Sequence, residues 1–249
     1  MKQVDGGVCA AKGYTAAGVY CGIRKNKTKK DLALIVSEVK AACACVYTQN
    51  LVKGAPILVT KANVADGFAQ AIICNSGNAN TCNANGVEIA TQMCDLLGSA
   101  LKISASDIVV ASTGVIGKTL DIEPIANGIA PLIAALGDDS NAAAEAIMTT
   151  DLAKKEIAFA FTVGGKTCHI GGICKGSGMI QPNMATMLGF VTTDVAISPA
   201  MLQKALSADI LDSFNMVSVD GDTSTNDMVT ILANGMAGNA EIKTGGAGY

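Results

Sequence analysis

The chain has 249 residues, half of them apolar and only 16% charged, which excludes extended disorder and allows a sizeable core, as one large domain or two small ones. A net charge of −3 offers no basic face, so nucleic acid is excluded as the main partner. The longest apolar candidate, around Ile125 to Leu136, is broken by Asn127, Gly128 and Pro131, so no membrane span is predicted.

The first local feature in chain order is the cluster of Arg24 with Lys25, Lys27, Lys29 and Lys30, read as a solvated turn. Short apolar or β-branched runs between turn signals predict strands at 33–36, 57–60, 69–74 and 108–111. Val87, Ile89, Ala90, Met93, Leu96, Leu97 and Leu101 recur at helical spacing. They predict an amphipathic helix after the turn-rich segment 75–80. A second helix is expected over 121–136, with Pro124 in its first turn, and a short Ala-rich third over 141–148. Segments 156–163 and 166–173 flank Gly164-Gly165 and read as a hairpin. Another strand is expected over 187–192. Ser198 and Pro199 then supply the N-cap and first position of a helix carrying Met201, Leu202, Ala205, Leu206, Ile210 and Leu211. A last strand is predicted over 214–219. Mixed strands and helices with a hairpin disfavour a doubly wound parallel sheet and fit an α+β layered sandwich.

Nine cysteines, at 9, 21, 43, 45, 74, 82, 94, 168 and 174, include no Cys-x-x-Cys pair and mostly lie in apolar surroundings. They read as reduced core fillers rather than disulfides or zinc ligands. With no signal-peptide or transit-peptide pattern at the N-terminus, a cytoplasmic location is expected.

The chain contains a single histidine, His169, placed in a hairpin strand and read as packed or surface-exposed. A Ser-His-Asp machine would need it, and Gly176-Ser-Gly178 has the wrong spacing for a nucleophile elbow. A histidine-rich metal site is excluded. Proton handling then falls to another group, such as a Thr α-amine or Lys175. Segment 111–119 nearly matches a phosphate-binding loop, but Ser112 stands where its first glycine is required. That segment reads locally as an ordinary strand-to-helix turn. Its other use would be to present the Thr113 hydroxyl and a backbone N–H to a developing oxyanion. Segment 219–227 lacks the glycine and the acid of a calcium loop, and reads, like 75–80, as a self-bonded polar turn. Thr149-Thr150-Asp151 reads as a polar helix terminus.

The most informative stretch is 175–190. A polar, Gly-rich loop runs through Pro182 and Asn183 to Ala185–Thr186 and then enters an apolar run. A threonine after a small residue, at the mouth of a buried strand, can attack its own preceding carbonyl. Cleavage there leaves Thr186 with a free α-amine beside its hydroxyl, a nucleophile with a built-in base.

These residues bring a family into view. The strings at 10–13 with 17–19, 30–34, 75–80, 111–117, 146–151, 175–190 and 219–227 resemble, in order, the ornithine acetyltransferases. These are the bifunctional glutamate N-acetyltransferase/amino-acid acetyltransferases of arginine biosynthesis. The resemblance implies a four-layer α/β/β/α sandwich and self-cleavage between Ala185 and Thr186. The two segments, 1–185 and 186–249, would form one composite domain, an α/β heterodimer that assembles into a higher oligomer. It implies Thr186 as acyl nucleophile, Thr113 and Gly114 as the oxyanion hole, and Thr149, Lys175 and Thr186 as substrate contacts. It implies ping-pong transfer of acetyl from N2-acetylornithine to glutamate, with no cofactor and with acetyl-CoA as co-substrate in some members.

Two departures stand out. The family's Thr-Thr-Asp-Thr-x-Pro is here Thr149-Thr-Asp-Leu-Ala-Lys154, which puts the contact at Thr149 in question. Family members also continue beyond Tyr249, so the chain is expected to be C-terminally truncated, either as a fragment or as a product whose remainder is supplied separately. Two other readings are open: an amidase or aminopeptidase on the same self-processing scaffold, and an inactive fragment.

Overall fold

A computed structural model describes residues 1–179 and 187–245. In chain order the elements are β1 (Lys2–Val4), β2 (Tyr14–Val19), β3 (Leu32–Tyr47), α1 (Ala55–Asn63), β4 (Phe68–Asn75), α2 (Gly86–Leu101), β5 (Ile108–Ser112), α3 (Glu123–Ala134), α4 (Asn141–Ile147), β6 (Lys155–Val163), β7 (Lys166–Lys175), β8 (Leu188–Thr193), α5 (Pro199–Asp212) and β9 (Met228–Ala233).

The long strand β3 belongs to two sheets. Through Val36 it pairs antiparallel with β2 and β4, and from Ala42 onward it pairs with β9. Between the halves its register with β4 slips, from Val36↔Ala71 to Ala41↔Ala69. Gly13 O holds the extra residues by accepting the Glu38 N–H at 2.8 Å, and the Gln70 amide donates to Ser37 O at 3.2 Å. A bulge of this kind bends a strand, and here it carries β3 from one layer to the other. The nine strands of the described residues are hydrogen-bonded in one continuous order, β1-β6-β7-β8-β9-β3-β4-β5 with β2 beside β3, and β3 divides it into two layers, β2-β3-β4-β5 and β3-β9-β8-β7-β6-β1, called here the first and second sheets. The pairs β4–β5 and β8–β9 are parallel.

Period-two alternation assigns each strand residue to a layer. Ala33, Ile35, Ile72, Cys74, Val109 and Ala111 of the first sheet meet Cys43, Leu188, Phe190, Met228 and Leu232 of the second in a core between the sheets. On the other face of the first sheet, Leu32, Leu34, Ala71, Ile73, Ile108 and Val110 lie under α1, α2 and α3. On the other face of the second, Ala42, Ala44, Val229 and Ala233 are covered by Leu202, Leu206 and Ile210 of α5. Burying each of those three side chains contributes about 1.5–3 kcal/mol. The order is α/β/β/α, the expected four-layer sandwich. The short helix α4 is wedged between the sheets, with Ala143, Ala144, Ala146 and Ile147 fully buried. Only glycine at position 18 allows that approach, since a Cβ there would sit 2.0 Å from Ala142 O.

Local signals account for most element ends. Ser198 Oγ accepts the Met201 N–H at 3.4 Å, with Pro199 in the first turn of α5. Gly164 and Gly165, at φ 55° and 77°, close the β6–β7 hairpin as a left-handed two-residue turn requires.

Two expected strands are absent. Segment 57–60 lies inside α1. A run of three apolar residues carries no period, while Gly54 before Pro56 is a helix start, and Thr60 is fixed by bonds to Val110 O (2.7 Å) and from Val110 N (2.9 Å). Segment 214–219 is a 3₁₀ turn followed by bends, with Met216, Val217 and Val219 exposed. The strand that enters the sheet is instead β9. Strands β1, β2 and β9 and the second half of β3 were not foreseen. The nine cysteines are all unpaired, and Cys82 alone among them is exposed. No helix among the described residues is long and apolar enough to cross a membrane.

Candidate functional site

Strands from both sheets end together at one edge of the sandwich. β4 and β5 finish in register at Asn75↔Ser112. β7 finishes at Lys175 opposite Leu188, and Leu188 lies opposite Met228 at the start of β9. The loops leaving these ends enclose a cleft of about 1010 Å³, whose walls include Thr113, Gly114, Thr149, Lys175, Met187 and Asp227. Thr113, Gly114, Thr149 and Lys175, separated by up to 62 positions in sequence, are therefore brought together. Ala185 and Thr186 lie outside the described residues. Their neighbour Met187 lines the cleft.

The loop after β4, read from sequence as a bland turn, is the cradle of this site. Asn75 is fully buried; its amide donates to Ser112 Oγ at 2.7 Å, and its Oδ1 accepts the N–H groups of Gly77 and Asn78 at 3.1 and 3.0 Å. The loop after β5 docks on it, with Thr113 N–H on Asn75 O (2.9 Å) and Val115 N–H on Gly77 O (3.4 Å). Between those two engaged amides, the Gly114 N–H has no acceptor among the described residues. Gly114 adopts φ +125°, and a Cβ on it would lie 2.6 Å from the carbonyl carbon of Gly77. A glycine here thus permits both the backbone turn and the close approach of the two loops.

Lys175 Nζ donates to Thr113 Oγ1 at 3.4 Å, which leaves the threonine hydroxyl hydrogen free to point elsewhere. Burial lowers the Lys175 pKa, opposed by the negative charges of Asp151 and Asp227 among others. Among the described residues no carboxylate lies within ion-pair distance of it. A half-buried ammonium without a counter-ion is an anion site. Asp151, read as part of a polar helix end, fixes the flank. It accepts from Lys155 Nζ (2.6 Å), Gly176 N (2.8 Å) and Thr149 N (3.1 Å), tying Thr149 to the residue after Lys175. Burial works against this carboxylate, yet those donors hold its pKa below the ordinary value.

The segment before β9, also read as a self-bonded turn, closes the cleft from the other sheet. Asn226 Nδ2 donates to Ala79 O at 2.6 Å and Ser112 O at 2.9 Å, and its Oδ1 accepts from Thr81 and Thr225 hydroxyls at 2.5 and 2.6 Å. Next to it, burial pushes the Asp227 carboxyl up to about 8, against a hydrogen bond with Ser224 and the charge of Lys175. The only sequence signal for either residue was an Asn-Asp pair directly before an apolar run.

Arg24 departs from the solvated-turn reading, because its guanidinium donates to Ser76 O at 2.6 Å and to Met148 O, pinning the cradle to the chain before Thr149. Lys25, Lys27 and Lys29 are exposed as expected. His169 is away from the cleft wall; its Nδ1 lies 3.1 Å from the buried Asp194 carboxylate.

Residues 15–246 match the model of the ArgJ family. The arginine biosynthesis bifunctional protein ArgJ of Symbiobacterium thermophilum is 51% identical over the whole of this chain, which covers 63% of that protein. The chain spans about three fifths of the length of the curated relatives it matches. A crystal structure of the arginine biosynthesis bifunctional protein ArgJ from Bacillus halodurans superposes with a TM-score of 0.69 and 41% identity, over 73% of this chain and 96% of that one. Ornithine acetyltransferase of Mycobacterium tuberculosis, solved in complex with ornithine, superposes with a TM-score of 0.66 and 32% identity, over 73% of this chain and 98% of that one.

Proposed function

Because this chain belongs to the ArgJ family, we propose that it is an N-acetyltransferase of arginine biosynthesis that cuts itself between Ala185 and Thr186 and then moves acetyl from N2-acetylornithine to glutamate. The observation that carries this reading is the gathering of Thr113, Gly114, Thr149 and Lys175 in one cleft with Met187, the residue that follows Thr186.

The chemistry follows from the groups present. The Thr186 α-amine takes the hydroxyl proton, and Oγ attacks the acetyl carbonyl. The tetrahedral oxyanion is received by the Thr113 hydroxyl and the unengaged Gly114 N–H, each donor being worth ~10²–10³ in rate. Lys175 pairs with the substrate carboxylate, and Thr149, joined through Asp151 to the residue after Lys175, contacts the substrate on the same flank. Ornithine leaves an acetyl-Thr186 ester, and glutamate takes the acetyl group in the second half-reaction. No cofactor is required; acetyl-CoA is an alternative donor to the same ester.

The sheet order fits a cut chain that stays joined. β8 and β9, which follow residue 186, lie between β7 and β3, which precede it. The products 1–185 and 186–249 would thus form one composite α/β heterodimer, the unit of any larger oligomer, working in the cytoplasm. The solved relatives support the cut. Each aligns over 73% of this chain, about 182 of 249 residues, and that stretch is nearly the whole of the chain it matches. A piece ending at Ala185 has that size. Incubation with N2-acetylornithine, with and without glutamate, tests the reading. Acetylglutamate that appears only with both substrates supports it, and acetate release independent of glutamate refutes transfer in favour of hydrolysis.

A further inference from the structure

Asp227 lines the cleft and has no part in the proposed steps. Asp227 is 6% exposed, and its carboxylate oxygen Oδ2 meets no hydrogen-bond partner among the described residues. A buried acceptor left unsatisfied costs free energy and calls for an explanation. Its position is bracketed from both sides. Asn226, before it, donates to Ser112 O at 2.9 Å, next to Thr113. Met228, after it, donates through its N–H to Met187 O at 3.0 Å, next to Thr186. The chain at Asp227 is therefore anchored to Ser112 on one side and Met187 on the other, and Asp227 lines the cleft. Lys175 from β7 is the charged group acting on it; Arg24, Lys118, Asp121 and Asp220 line other parts of the wall.

This inference rests on the transferase reading, and the transfer raises a proton question that Thr186 alone does not close. In the first half-reaction the Thr186 hydroxyl proton makes the departing nitrogen a neutral amine, yet ornithine leaves as an ammonium and needs one proton more. In the second, glutamate arrives as an ammonium. It must shed one proton before its nitrogen can attack, and a second returns to Thr186 Oγ as the ester breaks. We infer that Asp227 is the second proton carrier of this site, giving a proton to the departing amine and taking one from the incoming α-ammonium. The balance closes. Acetylornithine, Thr186 and the acid form of Asp227 become acetyl-Thr186, ornithine ammonium and the carboxylate of Asp227, and glutamate reverses each change. The desolvated surroundings that raise this carboxyl keep it in the acid form at neutral pH, ready for the first half-reaction, and make its carboxylate a stronger base in the second.

The test compares two acetyl acceptors on preformed acetyl-enzyme, followed against pH. Glutamate must be deprotonated; hydroxylamine, already neutral near pH 7, need not be. Asp227→Asn is expected to slow transfer to glutamate ~10²–10⁴-fold and leave transfer to hydroxylamine unchanged. It should also move the rising limb of the glutamate profile up to the pH at which free glutamate loses its ammonium proton. Equal slowing with both acceptors overturns the role, because a merely structural residue would act so. Should the variant fail to fold, the wild-type protein decides: a glutamate limb centred near 8 and absent with hydroxylamine supports the role, and identical profiles overturn it. A wild-type chain that never takes up acetyl refutes the transferase reading and the Asp227 role together. That failure is distinct from one in which acetyl-enzyme forms normally and the variant shows no acceptor preference.

Discussion

Removing the charge of Asp227 should stabilise the protein, and by an amount that grows with pH. Asp227→Asn keeps the size and shape of the protonated carboxyl. In the native protein this group holds its proton up to about pH 8, while in the unfolded chain it ionises at the ordinary value of 3.8. Well below the unfolded value of 3.8 both states are protonated and the group has no effect on the pH profile. Above that, the unfolded state loses its proton first, so the native state binds more protons and stability falls as pH rises, until the folded group also ionises. At 1.36 kcal/mol per unit, the loss accrued between pH 5 and pH 8 is about 3–4 kcal/mol. The asparagine variant lacks this term, while every other titrating group is common to both proteins. The comparison is best made by urea denaturation at unit pH steps in a Thr186→Ala background, which keeps one polypeptide and preserves a two-state reference. The gap in favour of Asp227→Asn should widen steadily from pH 5 to 8. Parallel stability profiles would refute the reasoning, because they would mean that the carboxyl ionises in the folded protein as it does in water.

Three other outcomes are expected. Thr186→Ala abolishes both the cut and acetyl transfer, and Thr186→Ser still cuts, more slowly; gel mobility and turnover check both, and normal turnover in the alanine variant would disprove the nucleophile assignment. Gly114→Ala, forced at φ +125° against the backbone of Gly77, should displace the N–H that faces the cleft and lower kcat ~10²–10³-fold in a folded protein; an unchanged kcat would remove this amide from the oxyanion site. Asn226→Ala deletes two donated and two accepted bonds in a buried network and should cost roughly 3 kcal/mol in urea denaturation; a loss within about 0.5 kcal/mol would show that the two sheets are not tied there.

Elements set by local chemistry were legible in the sequence. The Gly164-Gly165 hairpin, the Ser198-Pro199 start of α5 and the heptad-like stripe of α2 carry their signals within a few residues. Helix α1 was misread because Ile57-Leu58-Val59 is apolar without a period, and β-branching favours a strand until packing against β5 decides otherwise. The second half of β3 was hidden because Ala-Cys-Ala-Cys has little strand propensity; its small side chains are there to let α5 approach one face and the facing sheet the other. At the site, the local sequence offers Thr113 and Lys175 as candidates, the family resemblance gives Thr113, Gly114 and Lys175 their roles, and their convergence is not readable from spacing. Asn75 and Asn226 look like turn formers, and only their long-range bonds, across 37 and 114 positions, reveal them as scaffolding. Asp227 offers only its place beside Asn226 ahead of an apolar run, and its burial depends on where β9 enters the sheet.

The most direct test of the account is intact-mass analysis of the purified protein after a brief exposure to N2-acetylornithine without glutamate. Two polypeptides meeting at Ala185/Thr186, with a single acetyl group on the piece that begins at Thr186 and its loss on adding glutamate, is the predicted result. One uncut chain that nevertheless transfers acetyl, or acetyl found on any other residue, would contradict it.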